Sequence, residues 1–242
     1  MISDVYYYFC RDLVKWLRGR VFVITALIMP AAWLVFVGMA LPTKFTNNYL
    51  AFITPGILVM TMLFSSFAGG SLMIFDKILG FLNKFMALPS ARESILFGKI
   101  SFITFRGILQ SIVILLLALA FGVAIPNPAV LLYVLLVLVV FGILFSSLAS
   151  AIALVVDDHD GYAAVNSMVS MPLYFASSAL MPYDQMPSWL RVIATINPVS
   201  YAIDTARAAF NGQFIYMQLL ILAVMAIAMV SISTYMFRKA TL

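Results

Sequence analysis

Residues 129–156 read "AVLLYVLLVLVVFGILFSSLASAIALVV" and contain no charged side chain. A helix needs about 20 apolar residues to cross the roughly 30 Å hydrocarbon core of a bilayer. Inside lipid every backbone N–H and C=O group must find a partner, and the strands of a membrane barrel are much shorter than this run. The stretch therefore predicts a helix that spans a membrane.

Five more stretches have the same character, and together they predict an all-α integral membrane protein. Hydrophobic residues make up 64% of the 242 positions and charged residues 10%, whereas soluble domains are about half apolar and about a quarter charged. No polar stretch is long enough for a separate soluble domain, so 1–242 is expected to form a single domain. The predicted spans are 21–41, 50–75, 97–124, 129–156, 161–181 and 214–237.

The basic residues are distributed unevenly between the two sides of these spans. Cytoplasmic loops of membrane proteins carry an excess of Lys and Arg. Most of the 14 Lys and Arg residues fall on the side that carries both termini: Arg11, Lys15, Arg18, Arg20, Lys77, Lys84, Arg92, Lys99, Arg238 and Lys239. This predicts cytoplasmic termini and a multi-pass protein of the cell membrane. The net charge of +5 is attributed to membrane orientation, and no nucleic-acid partner is expected.

The segment before the first span, 3–20, predicts an amphipathic helix. Aromatic and apolar residues, Trp16 among them, lie broadly on one face, while Arg11, Lys15 and Arg18 lie toward the other. Such a distribution is typical of a helix that lies in the membrane interface and contacts lipids. The pattern leaves open whether the helix is only an anchor or also contacts a cytoplasmic partner.

The longest predicted cytoplasmic loop, 76–96, contains an amphipathic segment at 78–88 and then the helix breaker Pro89. Because this segment is tied to two spans, its apolar face must be covered by lipid or by another protein. The pattern favours neither.

On the opposite side, 182–213 predicts two short helices between the last two spans. Asp204 and Arg207 lie three residues apart on the second helix and can form a pair. A structural pair at the membrane surface and a part in an outer gate both remain open. The residues singled out in this segment are Pro182, Pro187, Trp189, Asn197, Pro198, Asp204 and Arg207.

Taken together, these motifs resemble type-2 ATP-binding-cassette (ABC) exporter permeases over the whole chain. The cytoplasmic loop has the family's order of an acid–base pair, a glycine, a short helix, Pro-Ser, a basic residue and Gly-Lys: Asp76-Lys77, Gly80, Pro89-Ser90, Arg92 and Gly98-Lys99. The external segment adds Pro182, Met186-Pro187-Ser188-Trp189, Asn197-Pro198 and Arg207. One departure is Ala179, where the family often has Gly after Ser178, and it bears on how closely that turn packs.

The resemblance implies a permease subunit that pairs with a second copy, or with a close relative, and binds two cytoplasmic ABC ATPase subunits. The loop 76–96 would receive ATPase closure, chiefly through Asp76, Lys77, Gly80, Phe81, Pro89 and Arg92. The segment 182–213 would form a re-entrant external hairpin. The chain has no G-x-x-x-x-G-K-[ST] phosphate loop, so ATP and Mg²⁺ would be bound by the partner. The chain itself is expected to be no enzyme and to hold no cofactor.

The polar residues inside the predicted spans are few. Arg106 and Gln110 lie on one face of the third span, and Asn166 lies in the fifth. A charge in hydrocarbon is costly, so Arg106 must face headgroups, a cavity or a partner. These residues are candidates for a translocation path, with snorkelling of Arg106 and helix packing by Asn166 as the alternatives. The apolar spans favour a drug-like or lipid-like substrate; a polysaccharide or lipid-linked glycan is the second candidate.

An enzymatic alternative rests on residues 157–164. Asp157, Asp160, Gly161 and Ala164 reproduce the start of the metal-binding signature of membrane CDP-alcohol phosphotransferases. Those enzymes continue with Arg and two further acids, whereas here Val165 follows and no acid recurs before Asp184. A membrane-embedded phosphotransferase is therefore a remote alternative, and no metal-binding or catalytic residue is predicted.

Overall fold

The computed structural model describes residues 2–38, 49–86, 91–125 and 127–239, and these ranges contain helices and no strand. Residues 39–41 of the predicted first span, and Pro89, lie outside the described residues. A π-helical segment, Trp33–Val37, continues the helix Arg20–Ala32, and a 3₁₀ turn, Tyr183–Gln185, precedes the helix Ser188–Ile196. The helices are α1 (Ile2–Arg18), α2 (Arg20–Ala32), α3 (Tyr49–Ile78), α4 (Phe81–Met86), α5 (Glu93–Ala120), α6 (Pro128–Val155), α7 (His159–Phe175), α8 (Ser188–Ile196), α9 (Pro198–Phe210) and α10 (Tyr216–Lys239).

Four of the described helices, α3, α5, α6 and α10, are long and apolar enough to cross a membrane. A fifth span is obtained if Ile2–Arg18 and Val23–Val37, whose axes differ by 77°, are counted together. Helix α7 has 17 residues, which corresponds to about 25 Å at the α-helical rise. The helical class predicted from the sequence is confirmed, and the count of six spans stays a prediction.

Helix α3 forms the centre of the bundle and packs against α5, α6, α7 and α9. It is apolar on all sides, which is the pattern of a helix enclosed by other helices. Helix α10 is also apolar but packs chiefly along α6. The side chains that it leaves exposed are large and hydrophobic, and they include Met217, Leu220, Val224 and Ile227. Such a surface is suited to contact with lipid.

Two glycines allow unusually close helix contacts. A Cβ atom on Gly98 of α5 would lie 2.6 Å from the Cβ of Tyr8 on α1. A Cβ atom on Gly70 of α3 would overlap the hydroxyl of Tyr162 on α7, and that hydroxyl donates a hydrogen bond to the Phe67 carbonyl at 2.7 Å. The absence of a side chain at these positions therefore sets where α1 and α7 lie.

The helix around residues 161–175 ends at Phe175, earlier than the predicted boundary at 181. The side-chain amide nitrogen of Asn197, Nδ2, donates hydrogen bonds to the carbonyl oxygens of Leu173 at 2.6 Å and Ala176 at 3.0 Å. These carbonyls belong to the end of the helix, where no intrahelical donor follows. A side chain distant in sequence thus caps α7, and this is not visible in the local hydropathy of 161–181.

The predicted cytoplasmic loop, 76–96, is helical at both of its ends. Helix α3 continues through Asp76 and Lys77 to Ile78, and α5 begins at Glu93. Between them, Gly80 adopts φ +68° and leads into α4. Asp76 and Lys77 can remain helical at the end of a long apolar helix because other side chains and carbonyls neutralise their charges.

Candidate functional site

Three helices are joined by a group of four charged side chains, which we call the α1–α3–α5 ion cluster: Arg11, Asp12, Asp76 and Lys99. The Lys99 ammonium lies 2.5 Å from the carboxylate of Asp76 and 3.6 Å from that of Asp12. Arg11 contacts the carboxylates of Asp76 at 2.7 Å and Asp12 at 2.5 Å. Asp12, Asp76 and Lys99 are each at most 3% exposed. The cluster contains two positive and two negative groups and is therefore neutral.

Burial makes each charge in this cluster dependent on the others. An ion taken out of water is stable only where partners of opposite charge are close. Burial would lower the pKa of Arg11, but the carboxylates of Asp12 and Asp76 outweigh that effect and raise it. The cluster therefore holds α1 against the ends of α3 and α5. Sequence patterns singled out Arg11 and Asp76 but missed Asp12, because its burial depends on where α1 packs.

Two further ion pairs tie together the same end of the bundle. Lys77 donates to the carbonyl oxygens of Leu154 and Val156 and lies 2.8 Å from Asp157. Arg238 of α10 lies 2.6 Å from Glu93 of α5. Helices α3, α5, α6 and α10 are thus connected near the point where α4 is attached.

Most of the other residues predicted to act at this end of the bundle are exposed at its surface. Phe81 on α4 is 41% exposed, Arg92 is exposed immediately before α5, and Lys15 and Arg18 are exposed on α1. The Trp16 ring packs edge-on against Phe102 of α5. These positions offer an accessible surface beside the buried ion cluster.

The predicted phosphotransferase residues have other contacts. Asp157, whose side chain is 90% exposed, pairs with Lys77, and Asp158 caps α7 by accepting a hydrogen bond from the Gly161 amide. His159 stacks on Phe75 with ring centroids 4.7 Å apart. Within the described ranges, no group of three or more His, Cys, Asp or Glu side chains could hold a metal ion.

At the opposite end, four residues form the α7–α9 polar cluster: Ser178, Tyr183, Asp204 and Arg207. The Asp204 carboxylate accepts hydrogen bonds from the hydroxyls of Ser178 at 2.5 Å and Tyr183 at 2.6 Å. Arg207 donates to the Ser178 carbonyl at 2.7 Å and lies 3.4 Å from Asp204. Burial raises the pKa of Tyr183 to about 12, and the neighbouring Asp204 carboxylate adds to the effect. The pair predicted from the sequence is thus part of a larger network.

This network reaches α3 through Arg207. Its Nε atom donates to the Phe52 carbonyl at 3.3 Å, and its guanidinium lies 4.0 Å from the centroid of the Phe52 ring. The Tyr49 hydroxyl donates to the Leu180 carbonyl at 3.0 Å. The turn after α7 is therefore attached both to α3 and to α9.

The predicted hairpin residues define the ends of its two helices. Pro182 and Pro187 precede the 3₁₀ turn and α8, and Asn197 and Pro198 lie at the junction of α8 and α9. No other described part of the chain covers the apolar face of α8: the side chains of Trp189, Val192, Ile193 and Ile196 are all at least 47% exposed. An apolar surface of this kind suits lipid or another protein.

Between the two polar clusters lies an apolar cavity of about 480 Å³, bounded by α2, α3, α5 and α7. Arg106 and Gln110 line it together with Ser65 and Tyr174. Arg106 is 1% exposed, and its side chain donates two hydrogen bonds to Ser65 of α3. Asn166 does not line this cavity, and its Oδ1 atom is buried without a hydrogen-bond partner among the described residues.

An all-helical bundle with long apolar helices, lipid-suited surfaces and buried polar clusters defines a multi-pass membrane protein. The ABC-2 type transporter family model matches residues 4–211. The chain belongs to this family and is a permease subunit of an ABC transporter, and membership implies a partnering ABC ATPase subunit.

Individual relatives agree with this assignment. The chain is 32% identical to the transport permease ycf38 of Cyanophora paradoxa over 219 residues, covering 87% of the chain and 75% of that protein. It is 26% identical to the daunorubicin resistance ABC transporter permease protein DrrB1 of Streptomyces coeruleorubidus over 168 residues, covering 69% and 59%. It is 24% identical to a doxorubicin resistance ABC transporter permease protein, DrrC, of Mycobacterium tuberculosis over 214 residues, covering 84% and 75%.

Proposed function

We propose that this permease exports a hydrophobic or amphiphilic substrate, drug-like or lipid-like, from the cytoplasm, driven by ATP hydrolysis in a separate ABC ATPase. The observation that carries the proposal is the position of α4. This short helix, on which Phe81 and Lys84 are exposed, follows directly on α3, whose last turns contain Asp76 of the α1–α3–α5 ion cluster. The central cavity lies further along the same helix, at Met60, Thr61 and Ser65.

This arrangement suggests how ATPase motion reaches the cavity. A force on α4 acts on the end of α3, and the ion cluster transmits it to α1 and α5 because buried charges separate only at a high cost. Helices α3 and α5 both line the cavity. Their displacement therefore alters the binding space, and rocking of two permease copies would open it alternately to the two sides.

The assembly that we propose contains two copies of this chain and two ATPase subunits, with ATP and Mg²⁺ bound by the ATPases. In this assembly we place the six spans at the apolar runs, and the distribution of basic residues supports cytoplasmic termini and a cell-membrane location. Helix α7 and the α2 segment with its π-helical continuation would be the two spans beyond the four longest helices. The hairpin of α8 and α9 would then lie on the outer side, with the exposed apolar face of α8 in lipid or against the second copy.

The lining of the cavity favours a hydrophobic substrate over a glycan. Its large side chains are Met29, Trp33, Met60, Phe64, Met171 and Phe175, which bind apolar groups and offer few hydrogen bonds to sugar hydroxyls. Relatives named for daunorubicin and doxorubicin resistance support a drug-like substrate. A polysaccharide or lipid-linked glycan is kept as the second candidate.

Replacing Gly80 by Ala should uncouple ATP hydrolysis from transport. Gly80 has φ +68°, and a Cβ atom added there would meet no other atom within 4 Å. An alanine therefore strains the backbone without a clash, at a cost of about 1–2 kcal/mol. We expect the turn to shift α4. Transport by the permease–ATPase complex in liposomes should fall several-fold, while the ATPase still copurifies.

Gly212→Ala is the matched control. Gly212 also has positive φ, +78°, and open space around it, but it lies between α9 and α10. It should carry the same backbone strain and keep transport. Equal losses of transport in the two variants would show that Gly80→Ala acts only through general destabilisation. Unchanged transport in Gly80→Ala would contradict the coupling role of this turn.

The α7–α9 polar cluster is proposed to form part of the outer gate. Asp204→Asn and Arg207→Gln should each change the transport rate by several-fold. Asp204→Asn removes the charge of the Asp204–Arg207 pair, and Arg207→Gln also removes the contacts of Arg207 with Ser178 and Phe52. Cross-linking should show that the dimer persists. Transport unchanged in both variants would leave the cluster with a structural role only.

A further inference from the structure

The central cavity holds a positive charge that has no counter-charge. The guanidinium of Arg106 is 1% exposed, and no carboxylate pairs with it among the described residues. Its Nη2 atom donates to the Ser65 carbonyl at 2.5 Å and its Nε atom to the Ser65 hydroxyl at 3.2 Å. The Nη1 atom has no hydrogen-bond partner in the part of the chain that the structure describes. A buried donor in this state is costly unless something from outside the chain binds it.

A second donor in the same cavity is also unused. Tyr174 of α7 lines the cavity and is 1% exposed, and its hydroxyl is likewise without a hydrogen-bond partner within the described ranges. Arg106 is on α5 and Tyr174 on α7, so the two donors reach the cavity from different helices. Of the two, the guanidinium of Arg106 is the charged donor, and its free Nη1 atom is the group that can bind an anionic oxygen acceptor.

The size and the apolar lining of the cavity determine which hydrophobic part of a ligand fits. Its volume of about 480 Å³ lies in the range of small-molecule sites, about 300–1,000 Å³. Most of the remaining lining is apolar and includes Met60, Phe64 and Met171. Such a space accommodates a hydrophobic body attached to a single polar group.

We propose that the cavity binds amphiphiles that have one anionic oxygen group, a carboxylate or a phosphate, with that group held by Arg106. This rests on the proposed transport function and narrows its substrate class. Arg106 supplies a charge-assisted hydrogen bond, which is stronger than a neutral one. A cationic amphiphile should bind less tightly than an anionic one, because its charge would face Arg106, which pairs with no carboxylate among the described residues. The names of the drug-resistance relatives therefore support an apolar, drug-like body and carry no weight for the charge of the head group.

The test measures binding to the permease–ATPase complex in phosphatidylcholine nanodiscs, without ATP. The probes are the fluorescent amphiphile dansylaminoundecanoic acid, its methyl ester and its trimethylammonium analogue. The acid should bind at least about tenfold more tightly than the ester, and the cation least tightly. Arg106→Gln should reduce binding of the acid to the level of the ester and leave the ester unaffected. Arg106→Lys should keep part of the preference.

The control is Arg191→Gln, which removes an exposed positive charge outside the cavity and should change none of these affinities. Equal binding of acid and ester to the wild-type complex would overturn the proposal. So would a preference for the acid that persists in Arg106→Gln. Loss of ester binding would show that Arg106→Gln does not fold. In that case the three probes are compared on the wild-type and Arg106→Lys complexes, and that comparison decides whether the site prefers the acid.

The same assay identifies the source of the anionic group. If lipid headgroups occupy the site, phosphatidylglycerol added to the nanodiscs should displace the acid. If free amphiphiles occupy it, phosphatidylglycerol should leave the acid bound. Either result supports anion recognition when binding of the acid depends on Arg106. Probe binding is measured without ATP hydrolysis. It therefore remains informative if Gly80→Ala leaves transport unchanged and the proposed coupling fails.

Discussion

Asp76→Asn should be strongly destabilising, with a loss of about 3–5 kcal/mol, the range for removing one partner of a buried ion pair. The Asp76 carboxylate contacts both Lys99 at 2.5 Å and Arg11 at 2.7 Å. After the substitution two buried or half-buried cations share the single carboxylate of Asp12. We expect α1 to detach from α3 and α5. Thermal unfolding in detergent should begin at a markedly lower temperature, and the single cysteine, Cys10 on α1, should react faster with a maleimide.

Two companion variants separate the buried cluster from ordinary surface charge. Asp157→Asn removes a carboxylate that is 90% exposed and 2.8 Å from Lys77, so it should cost at most about 1 kcal/mol. Asp76→Asn combined with Lys99→Met restores neutrality and should recover part of the lost stability. If Asp76→Asn unfolds at the same temperature as Asp157→Asn, the cluster does not hold α1 in place.

Asn197→Asp should be the second strongly destabilising change, by about 2–4 kcal/mol. The buried Asn197 side chain accepts a hydrogen bond from the Val199 amide at 2.9 Å and donates to the carbonyls of Leu173 and Ala176. Aspartate keeps the acceptor and loses the donor, and it places a carboxylate oxygen against two carbonyl oxygens. We expect Asn197→Asp to unfold at a lower temperature than Asn197→Ala and to detach α9 from the end of α7.

Asn127→Asp is the matched control. Asn127 also caps a helix by accepting from a backbone amide, that of Ala129 at 2.8 Å, and no carbonyl acceptor of its amide nitrogen is present among the described residues. Aspartate and asparagine are nearly equal at an ordinary N-cap, so this variant should have close to wild-type stability. An Asn197→Asp variant as stable as Asn127→Asp would show that the donated bonds to α7 contribute little.

The coarse architecture could be predicted because it depends on local properties of the chain. The long apolar runs 129–156 and 214–237 match α6 and α10 to within two residues at each end, since helix formation in lipid follows from hydropathy and length. The helix before the first span and the two short helices after Pro187 also lie close to their predicted positions. Family membership followed from the order of short motifs, and the family match over 4–211 confirms it.

The predictions were least complete for side chains whose role depends on a distant helix. Asp12 carries no local signal, yet it is a buried member of the ion cluster. From the sequence, Arg106 could either snorkel to the headgroups or line a cavity. In the structure its guanidinium contacts Ser65 and lines the cavity. Asn197 was singled out as a helix boundary, but its bonds to α7 could not be anticipated.

The sequence by itself determined that this chain is a helical membrane protein, because the cost of placing polar backbone in lipid applies to each segment separately. The tertiary structure alone decided which charges meet at Asp76, which carbonyls Asn197 caps and where Arg106 is enclosed. Those outcomes depend on the faces that neighbouring helices present to each other. They are set by close contacts such as Gly98 against Tyr8, which link residues far apart in the chain and leave no periodic pattern within either helix.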